Sequence, residues 1–135
     1  MDIAFLQSLH SGVRWLIVAV GVIALVRHVV GMFGKQAYDA IGRISLSGLT
    51  GLVTLQFLLG LTLIIWKGTT INTASYWGLA GGHAAVMIIA IGVTAATSGR
   101  VRRANSDEQK WRIGTIGLLI VAVLIYVGVL AVNGW

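Results

Sequence analysis

Two histidines and one arginine are the residues of this sequence whose chemistry and spacing best suit a bound group. His10 and Arg14 are four residues apart within residues 9–15, LHSGVRW, where the first long apolar run begins. On a helix they share one face. His83 lies about six residues into the third apolar run, roughly 9 Å deep at the helical rise. Two imidazoles on facing helices near one level can hold a haem iron between them.

Each of these three side chains also has a simpler explanation. His10, at the first turn of a span, can face interfacial water. A hydrogen bond to a neighbouring carbonyl would satisfy His83, although an imidazole at that depth is expected to face the bundle interior. Arg14 can snorkel to lipid headgroups, pair with haem propionates or dock a partner subunit. The residues alone leave these alternatives open.

Other uncharged residues near membrane depth bear on the same question. Gln56 is close to the middle of the second apolar run, where an amide is commonly a hydrogen-bonded link between helices and can also bind a quinone carbonyl. Small residues surround His83 in the sequence, namely Gly78, Gly81, Gly82 and Ala85. They predict a close contact with either another helix or a flat macrocycle.

The composition is that of an integral membrane protein. Of 135 residues, 57% are hydrophobic and 10% are charged, whereas a soluble domain is about 25% charged. The absence of cysteine excludes disulfides, thiolate metal sites and Cys-linked haem. All four carboxylates lie outside the apolar runs, which argues against a proton-coupled transporter. The net charge of +6 does not indicate nucleic acid, because the basic residues cluster in two loops.

Four apolar runs predict four membrane-spanning helices, at about residues 8–30, 44–66, 77–97 and 113–135. Short connections predict an all-α, up-down four-helix bundle in a single domain, 1–135. Loops 31–43 and 98–112 contain seven of the ten Lys and Arg residues, which predicts that both loops are cytoplasmic and both termini outside. The N-terminus lacks the features of a cleaved secretory signal, so the first span is expected to be retained. His28, roughly 27 Å along the first helix from His10, is expected at the cytoplasmic interface.

Three segments together resemble a known group of proteins. They are residues 9–15 (LHSGVRW), 55–61 (LQFLLGL) and 82–87 (GHAAVM). This pattern is similar to small bacterial four-helix membrane proteins labelled "cytochrome b-like", whose plan resembles b-type cytochromes and the haem-anchor subunits of respiratory complexes. Two positions depart from the pattern. Gly82 stands where many such proteins have an acid, and Thr54 and Leu55 stand where some have a histidine just before the glutamine.

The resemblance implies that His10 and His83 ligate one haem b, with Arg14 toward the propionates. It implies a multi-pass protein of the bacterial inner membrane that takes part in electron transfer, within or beside a respiratory or photosynthetic complex. Its expected partners are membrane lipids and other membrane subunits. The protein is expected to be a carrier or subunit rather than a stand-alone enzyme. The alternatives are a haem-free accessory subunit of an energy-transducing complex and a small quinone- or lipid-binding protein.

Overall fold

The computed structural model describes residues 2–132, which form four α-helices and no β-strand. Helix α1 spans Ile3–Phe33, α2 spans Ala40–Ile71, α3 spans Ala74–Arg103 and α4 spans Asp107–Leu130. Each is long and apolar enough to cross a membrane. The predicted all-α, four-helix membrane fold is therefore confirmed, and the last three residues of the predicted fourth span lie outside the described residues.

Most helix ends extend beyond the predicted spans, because polar residues cap the chain outside the apolar runs. Asp39, Thr73 and Ser106 each accept a hydrogen bond from a backbone N–H in the first turn of the helix that follows. Asn72 ends α2 in the left-handed conformation, with φ of 34°. The helices are consequently joined by short connections at residues 34–39, 72–73 and 104–106, which make consecutive helices antiparallel.

The four helices pack in a ring, in which each contacts its two neighbours in sequence order and α1 closes against α4. Helix α1 therefore lies diagonally across the bundle from α3. We call the end that contains connections 34–39 and 104–106 the basic end, and the end that contains residue 2 and connection 72–73 the terminal end. This up-down arrangement places the start of α1 and the start of α3 at the same end of the bundle.

The core consists of apolar residues on the inner faces, including Ile17, Leu49, Ala90 and Leu118. Many large apolar side chains face outward instead, and Ile44, for example, is 64% exposed. A bundle of this kind is suited to lipid, because lipid tails are as apolar as leucine and leave such residues without a hydrophobic penalty.

An aromatic cluster closes the basic end. The indole of Trp111 is fully buried and donates a hydrogen bond to the Gln36 carbonyl at 2.8 Å. It lies directly against Gly31 and Gly42, where a side chain would overlap the ring. His28 contacts this indole edge-on, with ring centroids 5.1 Å apart. Glycine is therefore required at these positions of α1 and α2 for the indole of α4 to enter.

His28 is fully buried against its neighbouring helices, whereas its expected depth at the cytoplasmic interface stays a prediction. Its Nδ1 donates to the Ala24 carbonyl at 2.7 Å, and its Nε2 accepts from the Tyr38 hydroxyl at 3.3 Å. Gly114 of α4 lies against its ring. Because its hydrogen bonds are made and the indole covers it, His28 belongs to the packing of the basic end.

An ion pair joins this cluster to the first connection. Arg27 donates to the Asp39 carboxylate at 2.6 Å and 2.9 Å and to the Gln36 side chain at 2.8 Å. The hydrogen bonds from Arg27 hold the pKa of Asp39 below its usual value. Burial, and secondly the Asp39 charge, raise the pKa of Tyr38 to about 12. The Tyr38 hydroxyl therefore stays protonated and remains a donor at any physiological pH.

Candidate functional site

His10, Arg14 and His83 line one cavity near the terminal end, which we call the histidine cavity. All four helices contribute to its wall, and the remaining lining is mostly apolar. Although α1 and α3 are diagonal in the bundle, both imidazoles line this space. The structure thus brings together the three residues singled out in the sequence, whose binding role stays a prediction.

His83 is held in one tautomer by helix α4. Its Nδ1 lies 2.7 Å from the Gly128 carbonyl oxygen, which can only accept, so Nδ1 carries the proton. The lone pair of the neutral ring is then on Nε2. This hydrogen bond to a carbonyl is the one that the simpler, purely structural explanation of His83 requires. It is also the brace that metal-ligating histidines typically have, since it fixes the ring and raises the basicity of the other nitrogen.

The ring of His10 lies against helix α2. Its Cε1 would be 3.0 Å from a Cβ placed at Gly60, so a larger residue there would require the ring to shift by a few tenths of an ångström. Among the described residues no group hydrogen-bonds to the buried His10 Nδ1. His10 is half-buried, and the expectation that it simply faces interfacial water does not account for its place in the cavity wall.

Gln56 links α2 to α1, as predicted for an amide at membrane depth. Its Nε2 donates to the backbone carbonyl of His10 at 2.9 Å. This bond sets the orientation of the amide, because the carbonyl must face an N–H group. Gln56 Oε1 is buried and accepts no hydrogen bond from the residues that the structure describes. An unsatisfied buried acceptor of this kind costs about 1–3 kcal/mol.

Arg14 is half-buried in the cavity wall, one helical turn from His10. Its guanidinium carbon lies 5.5 Å from the centroid of the exposed Trp15 ring, within the range of a cation–π contact. The arginine therefore adds a positive charge to a wall whose other polar side chains, His10, Gln56 and His83, carry no fixed charge. That charge suits an anionic or electron-rich ligand group near the membrane boundary.

The small residues beside His83 do not make the predicted close contact within the chain. A Cβ at Gly78, Gly81 or Gly82 would meet nothing within 4 Å, and Ala85 is exposed. Their side of α3 faces outward, because His83 turns the opposite side of the helix toward α4. This prediction is wrong for contacts among residues 2–132.

Two other glycines are the ones that touch the histidines. Gly60 faces His10, and a Cβ at Gly128 would lie 3.7 Å from His83 Nδ1 and inside Met87. Both are isolated glycines among large apolar residues. That isolation is the sequence signal that marks them, since a lone glycine in a leucine- or valine-rich helix generally has a packing reason.

The histidine cavity is smaller than a typical pocket for a drug-sized ligand. It encloses about 170 Å³. Drug-sized ligands occupy pockets of about 300–1,000 Å³, and a cavity of about 150 Å³ accommodates benzene. The donor atoms therefore fit haem, whereas the enclosed volume fits a single ring. Holding a macrocycle between both imidazoles requires α1 and α3 to lie farther apart.

The number of ligating side chains also distinguishes a directly bound metal ion from a haem. Within residues 2–132 no cluster of three or more His, Cys, Asp or Glu side chains could hold a metal ion. A directly bound zinc normally takes three or four protein ligands. Two imidazoles instead match the axial ligands of a haem, whose other four iron ligands come from the macrocycle.

A second, apolar cavity of about 240 Å³ lies between α1 and α4. Ile17 and Ile125 line both this cavity and the histidine cavity, so the two spaces adjoin. Gly21 forms part of its wall. We call it the α1–α4 groove. A flexible apolar tail could run along it while a polar head occupies the histidine cavity.

Comparison of the chain with protein families, curated proteins and solved structures finds no match. The likeness to cytochrome b-like proteins therefore rests on the three sequence segments alone.

Proposed function

We propose that the protein is a membrane electron-transfer component and that His10 and His83 ligate one haem b in the histidine cavity, with α1 and α3 moved apart to admit the macrocycle. One observation carries the proposal: imidazoles from two diagonal helices line a single, mostly apolar cavity of the bundle. Buried polar side chains in a membrane helix are expensive and are functional candidates by default. A bound haem would supply a one-electron redox couple.

The protein residues would act on such a group in separate ways. The Gly128 carbonyl holds the proton of His83 on Nδ1 and leaves Nε2 as the donor nitrogen. Gly60 allows the His10 ring to stand beside α2. Arg14 offers a guanidinium to carboxylate groups, with which arginine pairs in bidentate geometry. The apolar lining lowers the local dielectric and strengthens each of these interactions.

A quinone or quinol is the second candidate occupant, and two observations favour it. The enclosed volume of about 170 Å³ matches one ring, and the adjoining α1–α4 groove offers a path for an isoprenoid tail. The forced orientation of the Gln56 amide leaves an acceptor, Oε1, so a hydroxyl-bearing quinol would be bound in preference to a quinone carbonyl.

The absorption spectrum of the purified protein tests the proposal. A bis-imidazole haem is expected to show a sharp Soret band and an α-band that grows on dithionite reduction. His10→Gly and His83→Gly should each lose the α-band, and added imidazole should restore it if the lost group was a ligand. Thr62→Val, an exposed change on α2, is the control and should leave the spectrum intact.

His28→Ala is unsuitable as a control here, because that residue is buried at the basic end and its loss would disturb folding. A colourless protein from cells supplied with ample haem would overturn the haem proposal. Extraction of a quinol from that protein would favour the second candidate. A colourless protein without quinol that co-purifies with larger membrane subunits would favour the haem-free accessory subunit.

A further inference from the structure

The basic end contains a cavity of about 230 Å³ between α2 and α3, separate from the histidine cavity. We call it the basic cavity. Arg43, in the first turns of α2, and Arg102, in the last turn of α3, both line it, together with Ser47 and Ser98. The rest of its wall is the Tyr38 ring and apolar residues.

The charge of the basic cavity is not neutralised by protein carboxylates. Asp39 and Asp107 are engaged by Arg27 and Lys110. Neither guanidinium of the basic cavity takes part in an ion pair or hydrogen bond with another described residue, and no acidic residue lines the cavity. Two positive charges from different helices therefore face one space without a counter-charge.

The neutral groups of the wall complete the site. Ser98 is only 9% exposed, and its hydroxyl makes no hydrogen bond within residues 2–132. The hydroxyl of Ser47 is already used, since it donates to backbone carbonyls of α2 at 3.0 Å and 3.2 Å. The Tyr38 hydroxyl is engaged with His28. One buried donor, Ser98, thus remains for a ligand oxygen.

We propose that the basic cavity binds the phosphate of an anionic phospholipid. Guanidinium groups match phosphate oxygens in bidentate geometry, and basic pockets between membrane helices bind anionic headgroups. A lipid is favoured over free phosphate because Ile44, which lines the cavity, is 64% exposed and faces the surroundings of the bundle. Acyl chains would lie along that apolar surface while the headgroup reaches both arginines.

Lipid binding to the full-length protein tests this. Native mass spectrometry after titration with phosphatidylglycerol is expected to show retained lipid, and phosphatidylcholine should be retained far less. The double variant Arg43→Gln with Arg102→Gln should weaken phosphatidylglycerol binding about tenfold or more, because each positive side chain near an anionic headgroup adds to the affinity for the lipid. Ser98→Ala should weaken it less.

The matched control removes the same charge from the same end. Arg100→Gln with Arg112→Gln changes two exposed arginines that do not line the cavity, and it should bind nearly as the wild type does. Equal losses in both double variants would show diffuse charge attraction and overturn the site. Inorganic phosphate that competes as well as the lipid would overturn the lipid assignment. If the first double variant does not fold, Arg102→Gln alone gives the same comparison against Arg100→Gln.

Discussion

Replacing Gln56 by methionine separates the structural role of this amide from its role toward a ligand. Methionine has nearly the length and volume of glutamine, so the change removes polarity without opening a large cavity. Two opposing effects on the free energy of unfolding follow. The bond from Nε2 to the His10 carbonyl is lost, and the unsatisfied acceptor Oε1 is removed at the same time.

The energies of these two effects favour a Gln56→Met variant that is as stable as the wild type or more stable. Hydrogen bonds between membrane helices average about 0.6 kcal/mol, with a maximum of about 1.7. An unsatisfied buried acceptor costs about 1–3 kcal/mol. The His10 carbonyl remains inside α1, where it can keep its helical partner four residues on. We therefore expect Gln56→Met to leave the free energy of unfolding unchanged or to raise it by about 1 kcal/mol.

Thermal unfolding in detergent, followed by tryptophan fluorescence, measures this effect on the protein without added ligand. A gain of about 1 kcal/mol corresponds to a rise of a few degrees in the midpoint. Thr62→Val is the control, because that hydroxyl bonds only to the Leu58 carbonyl of its own helix at 2.9 Å. A loss of more than about 2 kcal/mol in Gln56→Met would refute the reasoning and show that Oε1 is satisfied in the native protein.

Three further predictions concern other parts of the bundle. Cysteine replacing Ser75 or Ser106 should be labelled from opposite sides of the membrane, and labelling of the Ser106 position by an impermeant reagent in intact cells would contradict a cytoplasmic basic end. Gly82→Leu should leave the stability of the isolated chain unchanged, because a Cβ there meets nothing within 4 Å. Gly114→Leu should prevent folding, because the new side chain would overlap the buried His28 ring. Equal yields of the two variants would be evidence against this packing. Asp39→Asn should lower the thermal unfolding midpoint at pH 7, because Arg27 stabilises the ionised carboxylate in the folded state. The difference in midpoint from the wild type should disappear as the pH falls through the lowered pKa of the Asp39 carboxyl. A difference that persisted at pH 2 would indicate a loss unrelated to charge.

The sequence by itself determined the class of protein and the depth of its polar residues. Apolar runs long enough to cross a bilayer specify helices, because every backbone polar group in lipid must be satisfied within the segment. Consecutive helices must be antiparallel, because the connections are too short to return the chain to the other end of the bundle. Depth along a helix is also a property of the chain alone, since each residue adds about 1.5 Å. His10 and His83 could therefore be placed near one level, with Gln56 as a link between helices.

Only the tertiary structure decided which way each helix turns about its own axis. In a soluble bundle the polar face identifies the outside of a helix, but here the lipid-facing and core-facing sides are equally apolar. The sequence marks Gly60 and Gly128 as isolated glycines but does not show that they touch the histidines, nor that Gly81 and Gly82 face outward. Rotation is set by the sum of contacts among all four helices, including the entry of a single large indole between glycines at the basic end. These contacts bury the His28 side chain, which its position along the helix does not reveal, and they set the size of the space between His10 and His83.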